Sequence, residues 1–112
     1  MRARQALGFA LTQLSDVTRQ LGEVDTAVEY GRRAVDTYES LAPSENLWRR
    51  GSAWEMLGRA TLQSGRRSQG CAALRRAGAL YTKTSTGPPG ERYMLRPDVQ
   101  KSLEQTLETC PQ

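Results

Sequence analysis

Histidine is missing altogether from this 112-residue chain, which removes the commonest general base and the commonest metal ligand together. Cysteine occurs only at Cys71 and Cys110. The two lie too far apart for a CxxC motif and have no ligand types flanking them, so no metal site is expected. Long apolar runs are lacking too, and nothing approaches the length that spans a bilayer, so no membrane insertion is expected in this segment. Arg2 and Arg4 open the chain, but Gln13, Ser15 and Asp16 interrupt anything resembling the apolar stretch of a signal peptide. Aromatic residues are scarce at 6%, which leaves few rings for stacking on bases. The carboxylates Glu23, Asp25 and Glu29 fall at turns and outer helix faces, and no nucleophile has a base beside it. Neither catalysis nor a cofactor is therefore expected.

What is present suits a folded domain. With 38% hydrophobic and 25% charged residues, the chain is too apolar for disorder, and its length fits one domain. It reads as a piece of a longer protein. The net charge of +4 is uneven: residues 1–43 carry −1, residues 44–85 carry +6, and the remainder carries −1. Fourteen of the sixteen basic residues are arginine, a bias that a GC-rich coding genome produces as readily as function does.

Internal repetition decides the architecture. Shifting the sequence by 43 residues pairs Gly8 with Gly51, Ala10 with Ala53, Leu14 with Leu57, Thr18 with Thr61 and Gln20 with Gln63. The same shift pairs Gly22 with Gly65, Arg32 and Arg33 with Arg75 and Arg76, Ala34 with Ala77, and Tyr38 with Tyr81. These ten ungapped identities stand against roughly two expected by chance. Each unit reads as two helices. Leu7, Leu11, Leu14, Thr18 and Leu21 form the expected stripe of the first, closed by Gly22 as a left-handed cap. Val24, Ala27, Val28, Gly31, Ala34, Val35, Tyr38 and Leu41 form the second, which ends before Pro43. The second unit repeats the plan with Leu47, Trp54, Leu57, Gly58 and Leu62, a turn at Gly65, then Cys71, Leu74, Ala77, Leu80 and Tyr81. Ser44 is the expected N-cap of the third helix. Small residues at Ala27, Gly31, Ala34, Gly70 and Ala77 predict close helix approach.

Trp54, Leu57, Gly58, Thr61, Gly65, Gly70, Leu74 and Ala77 resemble the tetratricopeptide (TPR) signature at matching spacings. Leu11, Leu14, Ser15, Thr18, Gly22, Ala27, Gly31 and Ala34 occupy the same places in the first copy. Thr61 departs from the usual tyrosine, Gly70 from the usual alanine and Leu74 from the usual aromatic residue. The family period is about 34 residues, so the longer spacing here resembles its long-repeat bacterial branch, with about one extra turn per helix. The resemblance covers Gln5 to Thr84 and implies an all-α fold, a right-handed α-solenoid of two helix-turn-helix hairpins. The expected boundaries are 2–42 for the first repeat and 44–84 for the second. More faintly, Gly70 to Tyr81 with the late Cys110 is similar to the end of TPR regions attached to bacterial serine/threonine kinases. That likeness implies a regulatory or sensory module of a larger signalling enzyme, although no kinase motif occurs here.

Beyond Thr84 the repeat stops. Residues 85–96 read as a loop around Gly87, Pro88, Pro89 and Gly90, with Tyr93 and Leu95 anchoring it. Pro97 and Asp98 then open a helix to about residue 109, where Val99, Leu103 and Leu107 form one apolar stripe. This fifth helix is expected to cap the second hairpin, since terminal repeats need covering. Docking it would bring Cys71 towards Cys110. Two buried free thiols in a cytoplasmic protein, or a disulfide stapling the cap on the extracytoplasmic side of a membrane, both fit.

The resemblance implies a groove lined by the first and third helices that binds a protein or peptide. The residues expected there are Phe9, Thr12, Asp16, Arg19 and Gln20, then Ser52, Glu55, Arg59, Leu62 and Gln63, with Phe9 and Arg59 as anchors. The paired lysine and asparagine with which some members grip a C-terminal carboxylate are not in these places. Trp48, off the main stripe, is a candidate for partner contact. The doublets Arg32-Arg33, Arg49-Arg50, Arg66-Arg67 and Arg75-Arg76 raise nucleic-acid binding through residues 44–85 as an alternative. The doublets fall on different faces, however, and acids surround the first. An uncovered first helix also implies a preceding repeat or a second chain packed against it, as a homodimer.

Overall fold

A computed structural model describes residues 2–41, 46–85 and 97–111. It is all-helical among the described residues: α1 (Arg2–Gln20), α2 (Val24–Glu39), α3 (Leu47–Gln63), α4 (Arg67–Ser85) and α5 (Pro97–Glu108). The expected all-α class and the five helices are observed. No described helix is long and apolar enough to cross a membrane. The Ser44 cap and the anchors Tyr93 and Leu95 lie outside the described residues; α3 is preceded by Asn46 at φ 53°.

Helices α1 and α2 pack as one hairpin, α3 and α4 as a second, and α2 packs against α3 to join them. Both hairpin turns use the glycines that the repeat marks. Gly22 and Gly65 take φ of +86° and +91°, which side chains resist. In each, two backbone bonds close the helix end. Glu23 N donates to Thr18 O at 2.9 Å and Gly22 N to Arg19 O at 3.0 Å. The bonds Arg66 N to Thr61 O and Gly65 N to Leu62 O repeat this pair, as a Schellman cap requires.

Helix α1 differs from its expected stripe. Leu11 and Thr18 are buried together with Gly8, Thr12 and Ser15, whereas Leu7, Leu14 and Leu21 are 48%, 42% and 72% exposed. The reason is angular. At 100° per residue, positions 7, 14 and 21 fall to one side of 11 and 18, and the buried arc runs the other way, through 15, 8 and 12. Polar groups do part of the packing there: Ser15 Oγ donates to Ala27 O on α2 at 2.8 Å. Its counterpart Gly58 has no hydroxyl and instead lets Leu74 close in, 2.8 Å from where a Cβ would stand.

The stripes expected for α2 and α4 hold their places more closely. In α3 only Gly58 of the expected stripe is buried and Leu47, Trp54, Leu57 and Leu62 are half-buried, because Ala53, Ala60 and Thr61 face the neighbouring helices more directly. Ala27, Val28, Gly31, Ala34, Val35, Tyr38 and Leu41 are all buried. Gly31 lies so near α3 that a Cβ would meet the Leu57 Cα at 2.9 Å. Cys71, Leu74, Ala77, Leu80 and Tyr81 are buried along α4. Leu103 joins Leu74, Ala77 and Tyr81 in one cluster, with Leu62, Trp54 and Leu107 packed against it. Helix α5 thus lies over the second hairpin. Cys71 Sγ and Cys110 Sγ are at bonding distance, 2.05 Å, and Arg67 and Arg75 donate to the Thr109 and Pro111 carbonyls.

Candidate functional site around Tyr38 and Arg49

Helix packing inserts an aromatic ring from the second helix of each hairpin beside a glycine of the first. A Cβ on Gly8 would stand 2.7 Å from the Tyr38 ring, and one on Gly51 would stand 2.7 Å from the Tyr81 ring. The absent side chain is what admits the ring in both units. Tyr81 is then fully engaged: its Oη donates to Glu55 Oε1 at 2.9 Å and lies 3.2 Å from Ser52 Oγ. Arg59 Nε donates to Glu55 Oε2 at 2.8 Å. Tyr38 is 1% exposed; among the described residues its hydroxyl finds no acceptor for its hydrogen, and the group near it, the Arg49 guanidinium, is a donor only. Burial raises its pKa above the ordinary phenol value, while the nearby Arg49 guanidinium pulls it partly back.

Above Tyr38 a cavity of about 160 Å³ opens between α1, α2 and the start of α3, lined by Phe9, Thr12, Gln13, Trp48, Arg49 and Ser52. Arg49 stands between two ring faces, its Cζ 5.3 Å from the Phe9 centroid and 5.0 Å from the Trp48 centroid. Cation–π contacts with both rings hold the guanidinium in place without neutralising it. Among the described residues no carboxylate pairs with it. A fixed, uncompensated cation, a buried phenol and two aromatic walls therefore meet at one opening.

The expected groove residues divide between surface and interior. Phe9, Gln20 and Gln63 are exposed, and Asp16, Arg19 and Ser52 are half-buried. Asp16 and Arg19 pair with each other at 2.7 Å. Thr12 and Glu55 are 5% exposed, with Thr12 Oγ1 donating to Gly8 O at 2.8 Å. Leu62 packs onto Gly70, closing that hairpin. Arg59 reaches α5, 3.5 Å from Thr106 Oγ1 and 3.4 Å from Ser102 Oγ. The chain's own fifth helix thus lies against the second-repeat part of the groove, and the open part belongs to Phe9 and its neighbours. Arg49 and Tyr38 were not among the expected groove residues. The signal that marks them in the sequence is a mismatch inside the repeat, Thr12 standing where Glu55 stands.

The basic middle segment does not gather on one face. Arg50 is 4% exposed and held by Glu39 Oε2 at 3.3 Å and Leu41 O at 2.9 Å. Arg59 is bound to Glu55 and Arg49 stands between rings, which leaves Arg66, Arg67, Arg75 and Arg76 as the exposed arginines. On the far side a shallow cavity of about 400 Å³, flanked by Arg32 and Arg76, is lined by Trp54, Leu57, Thr61 and Ala73. Its polar groups do not converge as those around Arg49 do. Compared with known proteins, the chain finds no match: no family model, no curated protein and no solved structure matches it.

Proposed function

We propose that this chain is a non-catalytic protein-interaction scaffold of the TPR type, a right-handed α-solenoid of two hairpins and a capping helix, holding a peptide or partner helix against the α1–α3 face. The observation that carries this reading is the placement of Arg49 between Phe9 and Trp48 at the rim of an open cavity. Aromatic and arginine side chains dominate interface energetics, and here they are fixed before binding, so little ordering entropy opposes association. The test is selection from a random peptide library, followed by affinity measurement through tryptophan fluorescence. Phe9→Ala and Arg49→Ala are each expected to weaken selected peptides by about tenfold or more. Peptides that bind equally well to both variants, or no selected consensus, would sink the reading. The nucleic-acid alternative predicts instead an affinity that falls steeply with salt.

A second observation supports a partner for α1. Ala3, Leu7, Ala10, Leu14, Val17 and Leu21 recur at alternating steps of four and three residues and are all exposed, which is the spacing of a helix-pairing seam. The matching face of α3, Arg50, Ala53, Leu57 and Ala60, lies beneath α2. The seam is centred between Ala10 and Leu14; along one edge Ala6, Gln13 and Gln20 carry no charge, and on the other Arg4 is the one charged residue. These features suit a second copy of the chain in an antiparallel pair, while α5 covers the other end of the stack. One helix on one helix is a small interface, below about 1,200 Å², so a micromolar dimer is expected. Sedimentation equilibrium should show twice the 12.4 kDa chain mass, reduced to monomer by Leu14→Asp. A monomeric wild type at high concentration would favour a preceding repeat instead. We place the chain with those on the extracytoplasmic side of a membrane, where a disulfide such as Cys71–Cys110 persists.

A further inference from the structure

The two halves of the repeat surround their tyrosines alike except for one group. In the second unit a buried carboxylate, Glu55, sits between the Tyr81 phenol at 2.9 Å and the Arg59 guanidinium at 2.8 Å. In the first unit the ring and its glycine are in the same relation, but Thr12 takes the place of Glu55 and donates its hydrogen bond to Gly8 O. The Tyr38 hydroxyl is left buried with no acceptor among the described residues, beside a guanidinium that only donates, and its ring lines the 160 Å³ cavity. Asp16 takes the place of Arg59 and is paired with Arg19. The cation beside Tyr38 is Arg49, brought in by α3.

We infer that this cavity binds a carboxylate, the side chain of a glutamate or aspartate in a partner peptide, which occupies in the first unit the place that Glu55 occupies in the second. The source of that carboxylate rests on the scaffold reading above; the carboxylate itself rests on the chain's own repeat. The chemistry is selective. Arginine offers donors and no acceptor, and a phenol beside it is a donor to any anion, so the ligand must accept from both. A buried phenol left without a partner is costly, which makes satisfying it a source of binding energy. A carboxylate is an acceptor on both oxygens and carries the single charge that one guanidinium balances. Water would satisfy the phenol but leave Arg49 uncompensated. The cavity holds roughly the volume of five waters, enough for a carboxyl group and the methylenes behind it. The Phe9 and Trp48 rings then flank the peptide backbone at the rim.

Two measurements test this, one of them without any ligand. Thr12→Glu supplies the carboxylate within the chain and is expected to raise the thermal midpoint by about 5 °C. The rise should vanish in the Tyr38→Phe background, where the ring still packs but the donor is gone. A fall on Thr12→Glu, or a rise independent of Tyr38, would overturn the inference. In the second measurement, capped glutamate (N-acetyl, N-methylamide) is titrated into labelled protein and followed by NMR, against capped glutamine and propionate. Saturable shifts at Trp48, Arg49 and Ser52 are expected with capped glutamate, at least about tenfold weaker with capped glutamine, and abolished in Tyr38→Phe and Thr12→Glu. Equal response to glutamate and glutamine overturns the carboxylate site, even where selected peptides still bind through Phe9. Propionate binding as tightly as a glutamate-containing peptide overturns the peptide source and, with it, the scaffold reading at this face.

Discussion

Replacing Cys71 and Cys110 by alanine is expected to cost about 4 kcal/mol of stability, the chain-entropy value for a loop of the 39-residue separation that the bridge closes. The loss should appear first in α5. That helix has 12 residues, too few to persist alone in water, and its apolar hold is Leu103 with Leu107 beside it. Its polar contacts, from Arg59, Arg67 and Arg75, come from long side chains that lose entropy when fixed. Without the covalent tie, α5 is expected to detach and expose Leu74, Ala77 and Tyr81. Hydrogen exchange would show lost protection across Pro97–Glu108 before the global transition, and the thermal midpoint would fall by well over 10 °C. Unchanged protection in α5 would mean that its packing, not the bridge, holds the cap. Arg59 would gain exposure in the detached state, so the variant also reports how far α5 limits access to the second-repeat part of the groove.

Gly31→Leu is expected to separate the two hairpins. A Cβ at Gly31 would meet the Leu57 Cα at 2.9 Å and the Leu57 N at 3.2 Å. These are backbone atoms in the middle of α3, so no rotamer change relieves the clash and the whole α2–α3 contact must open. Overpacking of this kind costs about 3 kcal/mol, against about 1 kcal/mol gained by replacing glycine within a helix. Gly78→Ala is the internal control. Its Cβ would find only Leu103 Cδ2, at 4.0 Å, so the same propensity gain should emerge as a net stabilisation of about 0.5–1 kcal/mol. Urea midpoints of the two variants should therefore move in opposite directions. A tolerated leucine at Gly31 would mean that the hairpins do not meet there in solution.

The helices and their turns were legible because local rules govern them. Gly22 and Gly65 adopt the positive φ that a helix end needs, and each cap is complete within six residues of chain. The α2 and α4 stripes were readable because each is covered along one broad face. Helix α1 was harder. A sequence stripe records which residues are apolar, not which side meets a neighbour, and Leu7, Leu14 and Leu21 share their type with Leu11 while facing outward. The candidate groove mixed surface and interior for the same reason: Thr12, Glu55 and Leu62 carry groove spacing but are drawn into the hairpins by Gly8, Tyr81 and Gly70.

The sequence by itself determined the all-helical class, the five helices, the glycine turns and the correspondence of Gly8 with Gly51 and of Tyr38 with Tyr81 between the two copies. Those follow from periodicity and from a repeat whose copies can be read against each other. Only the tertiary structure decided that Gly8 admits the Tyr38 ring and Gly51 the Tyr81 ring, and that Arg49 lies against Phe9 and Trp48. It alone decided that the Tyr38 hydroxyl is buried without an acceptor while Tyr81's has one, and that α5 reaches Arg59. Such contacts join residues up to 47 positions apart, and they depend on the angle and distance between packed helices, which neighbouring residues do not encode.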